Sequence, residues 1–327
     1  MGLKTYVIRR VLFSIPVFFG VSIIIFSLLH AAGNPIDIMF AENPGIWGSR
    51  GLEVIENIKR YYGLDKPVWY QYVMWLWRFM RFDLGTSLYG GTPLNLLVKA
   101  ATMQTLKLQI ASLTLALGIA IPVGVYTALK QYSFFDNFVT SLSMVGIAIP
   151  HFWLGLLLIL FFSFYLPWFP SFGTKTIGLQ ATGLAALWDQ IYHMVLPTIV
   201  LTVQFMVIFV RLTRSGMVEV LRQDYILAAR SYGLSRRTVI FKHALRCALI
   251  PVVTYLGIYM GLSLVSAPVT ETVFSWPGLG YLFYRSIVQL DYPAVMGIAM
   301  TTTIIVLAGN LMTDILYGVV DPRIQLR

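Results

Sequence analysis

The stretch 108–129, LQIASLTLALGIAIPVGVYTAL, runs without a charge from Lys107 to Lys130. Its 22 residues would make a helix about 33 Å long. That length matches a hydrocarbon core of about 30 Å. Strands that cross a membrane are about 10 residues long and alternate polar with apolar, and this stretch does neither. Five further runs lack Asp, Glu, Lys and Arg: Val11–Leu29, Asn137–Leu166, Gln190–Val210, Cys247–Thr270 and Tyr292–Thr313. The run 137–166 is long enough to tilt or kink. The expected fold is therefore an all-α integral membrane protein with six transmembrane helices.

Composition agrees. Of 327 residues, 57% are hydrophobic and 12% charged, where a soluble domain is near half apolar and a quarter charged. Too few ionisable groups exist to cover a water-facing surface, which excludes a soluble globular protein and a disordered one. The single Cys247 excludes an internal disulfide framework and a thiolate metal cluster. Lys4, Arg9 and Arg10 precede the first run as they would in a signal peptide. Its apolar length exceeds the ~7–15 residues of such a segment, so it is read as a retained span. Pro16, Pro122, Pro150 and Pro197 fall inside spans. There they serve either helix packing or a hinge at a cavity.

Charge sets the expected orientation. With the amino terminus inside, fourteen of the 24 basic residues lie in the first ten residues, the 130–135 turn, the 211–246 loop and the tail after 314. The two short outside loops hold only Lys175 and Arg285. The rest lie in or beside the long 33–99 loop, and long loops weigh little in the positive-inside rule. Both termini and the 211–246 loop are expected to be cytoplasmic. The net charge of +10 is then a topology signal and calls for no nucleic acid.

Within the 33–99 external loop, 52–62 reads as a short amphipathic helix, with Ile55 and Ile58 opposed to Glu53, Glu56, Lys59 and Arg60. The stretch 68–81 holds Trp69, Tyr70, Tyr72, Trp75, Trp77 and Phe79. Such aromatic density suits an interfacial helix or contact with an external partner.

The 211–246 loop, RLTRSGMVEVLRQDYILAARSYGLSRRTVIFKHALR, contains two helical patterns divided at Gly233. Asp224 is expected to cap the first, and Gly233 to end it in the left-handed conformation. Ser235 is expected to cap the second, which runs through Val239, Ile240 and Ala244. Ala228 and Ala229 would let another surface approach closely. A short basic helix on such a stalk suits docking in a groove of a soluble protein, or is a solvated connection between spans.

Ala228-Ala229, Gly233 and Leu249-Ile250-Pro251 resemble the E-A-A-x3-G … I-x-L-P loop of ABC importer permeases, with Leu227 at the glutamate position. The fuller pattern, with Asp224-Tyr225, Ala229-Arg230, Gly233-Leu234-Ser235, 243–246 and 248–252, is similar to the dipeptide/oligopeptide type. So are PHFWLGLLL at 150–158, YGLDKP at 62–67 with DLGTS at 83–87, ETVFSWPGLG at 271–280 with DYP at 291–293, and DPR at 321–323.

The resemblance implies a single permease domain over 1–327 with the type I ABC importer bundle, in a prokaryotic cell membrane. It implies that Asp224, Tyr225, Ala228, Ala229, Arg230, Gly233 and Leu234 couple the chain to its motor. The implied partners are a second homologous permease subunit, two ATPase subunits and an external solute-binding protein. The chain itself would be non-catalytic and bind no cofactor or metal, with ATP and Mg held by the ATPases. It contains no G-x-x-x-x-G-K-[ST] phosphate loop.

Candidates for the solute path are polar groups within or beside spans: Thr202, Gln204, Thr301, Thr302, Thr303 and Asn310. Interhelical hydrogen bonding is the other use of such groups. Glu271 and Asp314 lie at span ends, where a carboxylate can stay hydrated, and Glu271 is placed beside the outer mouth. His151 and His193 stand singly, without metal-ligand spacing. Cargo similar permeases carry includes peptides, oligosaccharides such as β-gluco-oligosaccharides, and nickel. A secondary transporter or channel would want ionisable groups near mid-membrane, which the six runs lack. An intramembrane enzyme would want a nucleophile elbow or ligand cluster, and none is present.

Overall fold

The computed structural model describes residues 3–33, 56, 60, 63, 65–180 and 182–320. Of the expected 52–62 helix only Glu56 and Arg60 are described. Both are helical, and they pair at 2.9 Å. The rest of that helix and the DPR tail lie outside the described residues, as does the side chain of Asp314.

Among the described residues the chain is helical, with one isolated antiparallel bridge between Thr86 and Pro93. The helices are α1 (Leu3–Ala31), α2 (Val68–Met80), α3 (Leu94–Leu129), α4 (Phe134–Ala148), α5 (His151–Leu158), α6 (Leu184–Val220), α7 (Asp224–Ser231), α8 (Leu245–Ala248), α9 (Ile250–Val273), α10 (Leu279–Val288) and α11 (Tyr292–Val320). Two π-helical segments interrupt this order, Ile159–Tyr165 after α5 and Thr238–Ala244 before α8. Five helices are long and apolar enough to cross a membrane, and a bent pair raises the number to six if it is one span.

α3 and α6 form the central pair. They have 36 and 37 residues, about 54 and 56 Å of helix. Both outrun a hydrocarbon core, so each apolar run continues as helix beyond it. Leu108, Ala116 and Ala120 of α3 pack with Leu201, Phe205 and Phe209 of α6, Val252 of α9 and Trp276. Small residues set the closest approaches. A Cβ at Gly124 would lie 2.6 Å from Thr213 Cβ, and one at Gly216 would lie 2.5 Å from the Ala248 carbonyl oxygen. α1 packs on α11 and keeps most of its apolar side chains exposed, as a lipid-facing helix does.

The 137–166 run is two helices. α4 and the α5 segment meet at 102°. Ile149, which precedes a proline, is held extended with ψ 121°. Pro150 has no N–H to continue the ladder and instead begins α5. Pro16, Pro122 and Pro197 remain inside their helices. Proline therefore breaks one span and is absorbed in the others.

α2 carries the aromatic stretch. Tyr72 shares a 2.8 Å hydrogen bond with the buried Ser22 of α1, and its ring meets Phe26 edge to face. Trp69 and Trp77 on its other side are exposed. A cavity of about 550 Å³ lies among α1, α2 and the start of α11, lined by Phe26, His30, Trp75, Arg78, Asp83 and Tyr292 among others. Arg78 Nε donates to Asp83 at 2.9 Å there and lowers the pKa of that carboxyl.

Candidate functional site

The loop between α6 and α9 folds into a small platform on the end of the bundle. Ile226 of α7 is fully buried with Met217 of α6, Val125 and Ala128 of α3, and Val239, Ile240 and Ala244 of the second helical segment. Ala229 packs against the same cluster. Asp224, Tyr225, Leu227, Ala228 and Arg230 are exposed. The two alanines thus divide: Ala228 leaves room for an outside surface, and Ala229 leaves room for the bundle itself.

Both ends of α7 are chemically defined. The structure corrects the expected cap: Gln223 precedes the helix, makes no side-chain cap bond, and Asp224 is the first helical residue. A carboxylate there still favours the positive end of the helix dipole. The far end closes as a Schellman turn. Gly233 N donates to Arg230 O at 3.0 Å, and Leu234 N to Ala229 O at 3.3 Å. Gly233 has φ +76°, the left-handed stop its position predicts. Ser235 Oγ then accepts from Thr238 N at 3.3 Å, the expected cap of the second segment. Tyr225 reaches the thiol of Cys247 in α8, and partial desolvation of its hydroxyl with that hydrogen bond pushes the phenol up to about 12, although the residue as a whole stays exposed. Beyond the turn, Tyr232, Leu234 and Phe241 are exposed. The platform is fixed from below, and its open face mixes apolar side chains with Asp224, Arg230 and the basic residues that follow.

One contact beside this platform was not legible from the loop. Arg214 of α6 donates through Nε to Asp136 Oδ1 at 2.6 Å and through a terminal nitrogen to Oδ2 at 2.7 Å. Asp136, near the start of α4, also accepts from Tyr132 N at 2.9 Å, and its own N–H is capped by Ser133 Oγ. Its side chain is 2% exposed. The Ser133-x-x-Asp136 spacing is a readable cap signal. Its partner, 78 residues away, is not.

At the opposite end of α3, Glu271 is fully buried, so the expectation of a hydrated carboxylate at a span end is corrected. Thr105 Oγ1 donates to its Oε1 at 2.6 Å, and Tyr281 N donates to Oε2 at 2.9 Å. Leu279 N in turn donates to Thr105 Oγ1 at 2.8 Å. The carboxylate thus closes the first turn of α10, whose unpaired N–H groups would otherwise be stranded. Gly278 is required there, because a Cβ would lie 2.1 Å from Glu271 Oε1. Asp291 does the same for α11, accepting from Ala294 N at 3.3 Å and from the Ser87 hydroxyl. The 83–87, 271–280 and 291–293 stretches are therefore parts of one knot of helix starts.

The other path candidates divide. Thr202 is buried and donates to Ser112 O of α3 at 3.3 Å, an interhelical bond. Thr301 and Thr303 bond back to their own helix at Gly297 O and Ala299 O. Gln204 is half-buried on α6 with Oε1 lacking a partner. Thr302 is half-buried and Asn310 exposed on α11. His193 Nδ1 lies 2.8 Å from Asp189 O and takes part in helix packing. Among the described residues no three His, Cys, Asp or Glu side chains gather into a group that could hold a metal.

Residues 120–326 match the family described as binding-protein-dependent transport system inner membrane component. The oligopeptide transport system permease protein AppB of Bacillus subtilis is 42% identical over 325 residues, covering 99% of this chain and 100% of that one. The dipeptide transport system permease protein DppB of Escherichia coli K12 is 38% identical over 338 aligned positions, with 98% of each chain covered. The di/tripeptide transport system permease protein DppB of Pseudomonas aeruginosa is 36% identical over 337, again with 98% of each. A family match over more than half the chain, relatives aligned end to end, and a set of long apolar helices together mean that the chain belongs to the binding-protein-dependent transport system inner membrane components, as a multi-pass permease of the plasma membrane.

Proposed function

We propose that this chain is a permease subunit of an ATP-driven importer and forms half of the transmembrane pathway for dipeptides or oligopeptides. The bent pair counts as one span, giving six, with both termini and α7 on the cytoplasmic side. A second, related permease completes the pathway. Two ATPase subunits sit beneath, holding ATP and Mg, and an external binding protein delivers the solute.

The observation that carries this reading is α7. A helix of eight residues is buried on one side in the bundle and open on the other, with both ends fixed. Closure of the ATPase dimer around ATP moves such a helix as a rigid piece, and the bundle follows. A swing between inward- and outward-open states needs differential binding of a few kcal/mol, which ATP and dimer closure supply. Gln204, Thr302 and Asn310 line the path, where an amide or hydroxyl can exchange hydrogen bonds with a peptide. Thr202 and Glu271 act on the path by fixing the helices around it. Peptide cargo is favoured by the names of the relatives.

The test is reconstitution. Proteoliposomes holding both permeases, the ATPases and the binding protein should accumulate labelled dipeptide only with ATP, and this chain alone should neither hydrolyse ATP nor pass solute. Flux or ATP turnover by the isolated chain overturns the proposal. Calorimetry of the binding protein with peptides, β-gluco-oligosaccharides and nickel decides the cargo. Heat from a sugar or nickel alone removes the peptide assignment and leaves the importer in place.

A further inference from the structure

We infer that Asp136 and Arg214 are positioning residues for transport, whose ion pair makes α4 follow α6 when α7 is moved. The inference rests on the importer reading and adds the route by which motion reaches the broken span. The pair is bidentate, with bonds of 2.6 and 2.7 Å. Planar two-bond pairing fixes orientation as well as distance. Asp136 Oδ2 also accepts from Tyr132 N, so the carboxylate is held from two sides. Arg214 stands one turn before Met217, which lies with Ile226 in the buried cluster under α7. A displacement of α7 therefore reaches Arg214 through a single packed layer.

α4 has a second tight contact with the same helix. A Cβ at Gly146 would lie 2.8 Å from Val207 of α6. The two contacts are ten residues apart along α4 and bind it to α6 at both ends. α5, across the 102° break, packs at another level: Leu154 and Leu158 lie against the cluster of Leu196 and Val200 of α6 with Phe274, and a Cβ at Gly155 would lie 3.2 Å from both Phe274 and Val273 at the end of α9. The halves of one span are thus attached to different stretches of α6, α4 at Val207 and Arg214 and α5 near Leu196 and Val200 together with the end of α9, and the joint between them is Ile149–Pro150. With the ion pair intact, movement of the 207–214 end of α6 relative to the end of α9 is converted into a change of the α4–α5 angle. Without it, α4 can slip along α6 and the angle is no longer driven.

The experiment uses the assembled transporter with its binding protein in proteoliposomes, reading ATP hydrolysis and dipeptide uptake together. Asp136→Asn should leave ATP hydrolysis within about twofold of wild type and lower uptake about tenfold, within the range of an ordinary coupling free energy. Asp136→Glu should recover part of the ratio, and the exchange D136R/R214D should recover more than either single change. A purely structural pair would lower both activities in proportion to the complex that assembles. That outcome, or an unchanged ratio, overturns the inference. Where Asp136→Asn fails to assemble, Arg214→Lys keeps the charge without the planar fork, and the same ratio decides. If wild type itself shows no ATP-dependent uptake, the importer reading fails, independently of the pair.

Discussion

Gly233 ends α7 with φ +76°, and a Cβ added there would meet nothing within 4 Å. The cost of a side chain is therefore conformational and not steric, about 1–2 kcal/mol for a left-handed residue. Gly233→Val should leave the bundle folded, loosen the Schellman turn, and cut uptake several-fold with the thermal midpoint lowered by no more than about a few degrees. Gly233→Asn should be milder, because asparagine tolerates this region. Full uptake by the valine variant would show that the angle after α7 is unimportant. Glu271 behaves oppositely. Its two oxygens accept from a hydroxyl and from the first turn of α10. An amide offers one acceptor and turns its N–H groups on donors. Glu271→Gln should therefore destabilise by about 1–3 kcal/mol, the usual cost of a buried unpaired group, read as a lower unfolding temperature in detergent. The glycine was legible in sequence because its reason is local. The carboxylate was misjudged because its partners come from α3 and α10, and only the fold brings Thr105 to it.

At the scale of elements, apolar runs announced the helices but not their ends. The run 190–210 is the middle of a helix that continues through Arg211 and Arg214 to Val220, since charges can extend a helix into water once lipid no longer forbids them. The cap of α7 shifted by one residue for a related reason. Gln223 adopts the extended conformation before the helix without offering a side-chain bond, and Asp224 contributes charge instead. Pro150 was one of several prolines within the apolar runs, and only the length of 137–166 hinted at a kink there; in the fold, the 102° break falls at it. Pro150→Ala restores an N–H and frees Ile149 from its pre-proline restriction. Spin labels at Leu142 and Leu156, both exposed, stand on opposite sides of the break. In a continuous helix their backbones would be about 21 Å apart. The variant should lengthen the measured distance toward that value and reduce uptake. An unchanged distance would mean that packing of α4 and α5, not the proline, holds the bend.

For the whole molecule, orientation is the property most strongly expressed in sequence and least visible in coordinates. The fold places the platform of α7 and the Asp136–Arg214 pair at one end of α3 and α6, and the Glu271 and Asp291 knot at the other. The basic residues concentrate at the first end, which the positive-inside rule assigns to the cytoplasm. Tyr232 is 87% exposed at that end, just past α7. In a background with Cys247→Ser, which removes the only native thiol, Tyr232→Cys offers one reporter. A membrane-impermeant maleimide should label it in inverted vesicles and not in right-side-out cells. Adding the ATPase subunits should then slow that labelling at least several-fold, because the exposed Tyr225, Leu227 and Leu234 beside it would be covered. Labelling from outside reverses the whole assignment of sides. Labelling from inside without protection keeps the orientation and removes α7 as the docking surface, so the two halves of the functional reading stand or fall on separate arms of the same measurement.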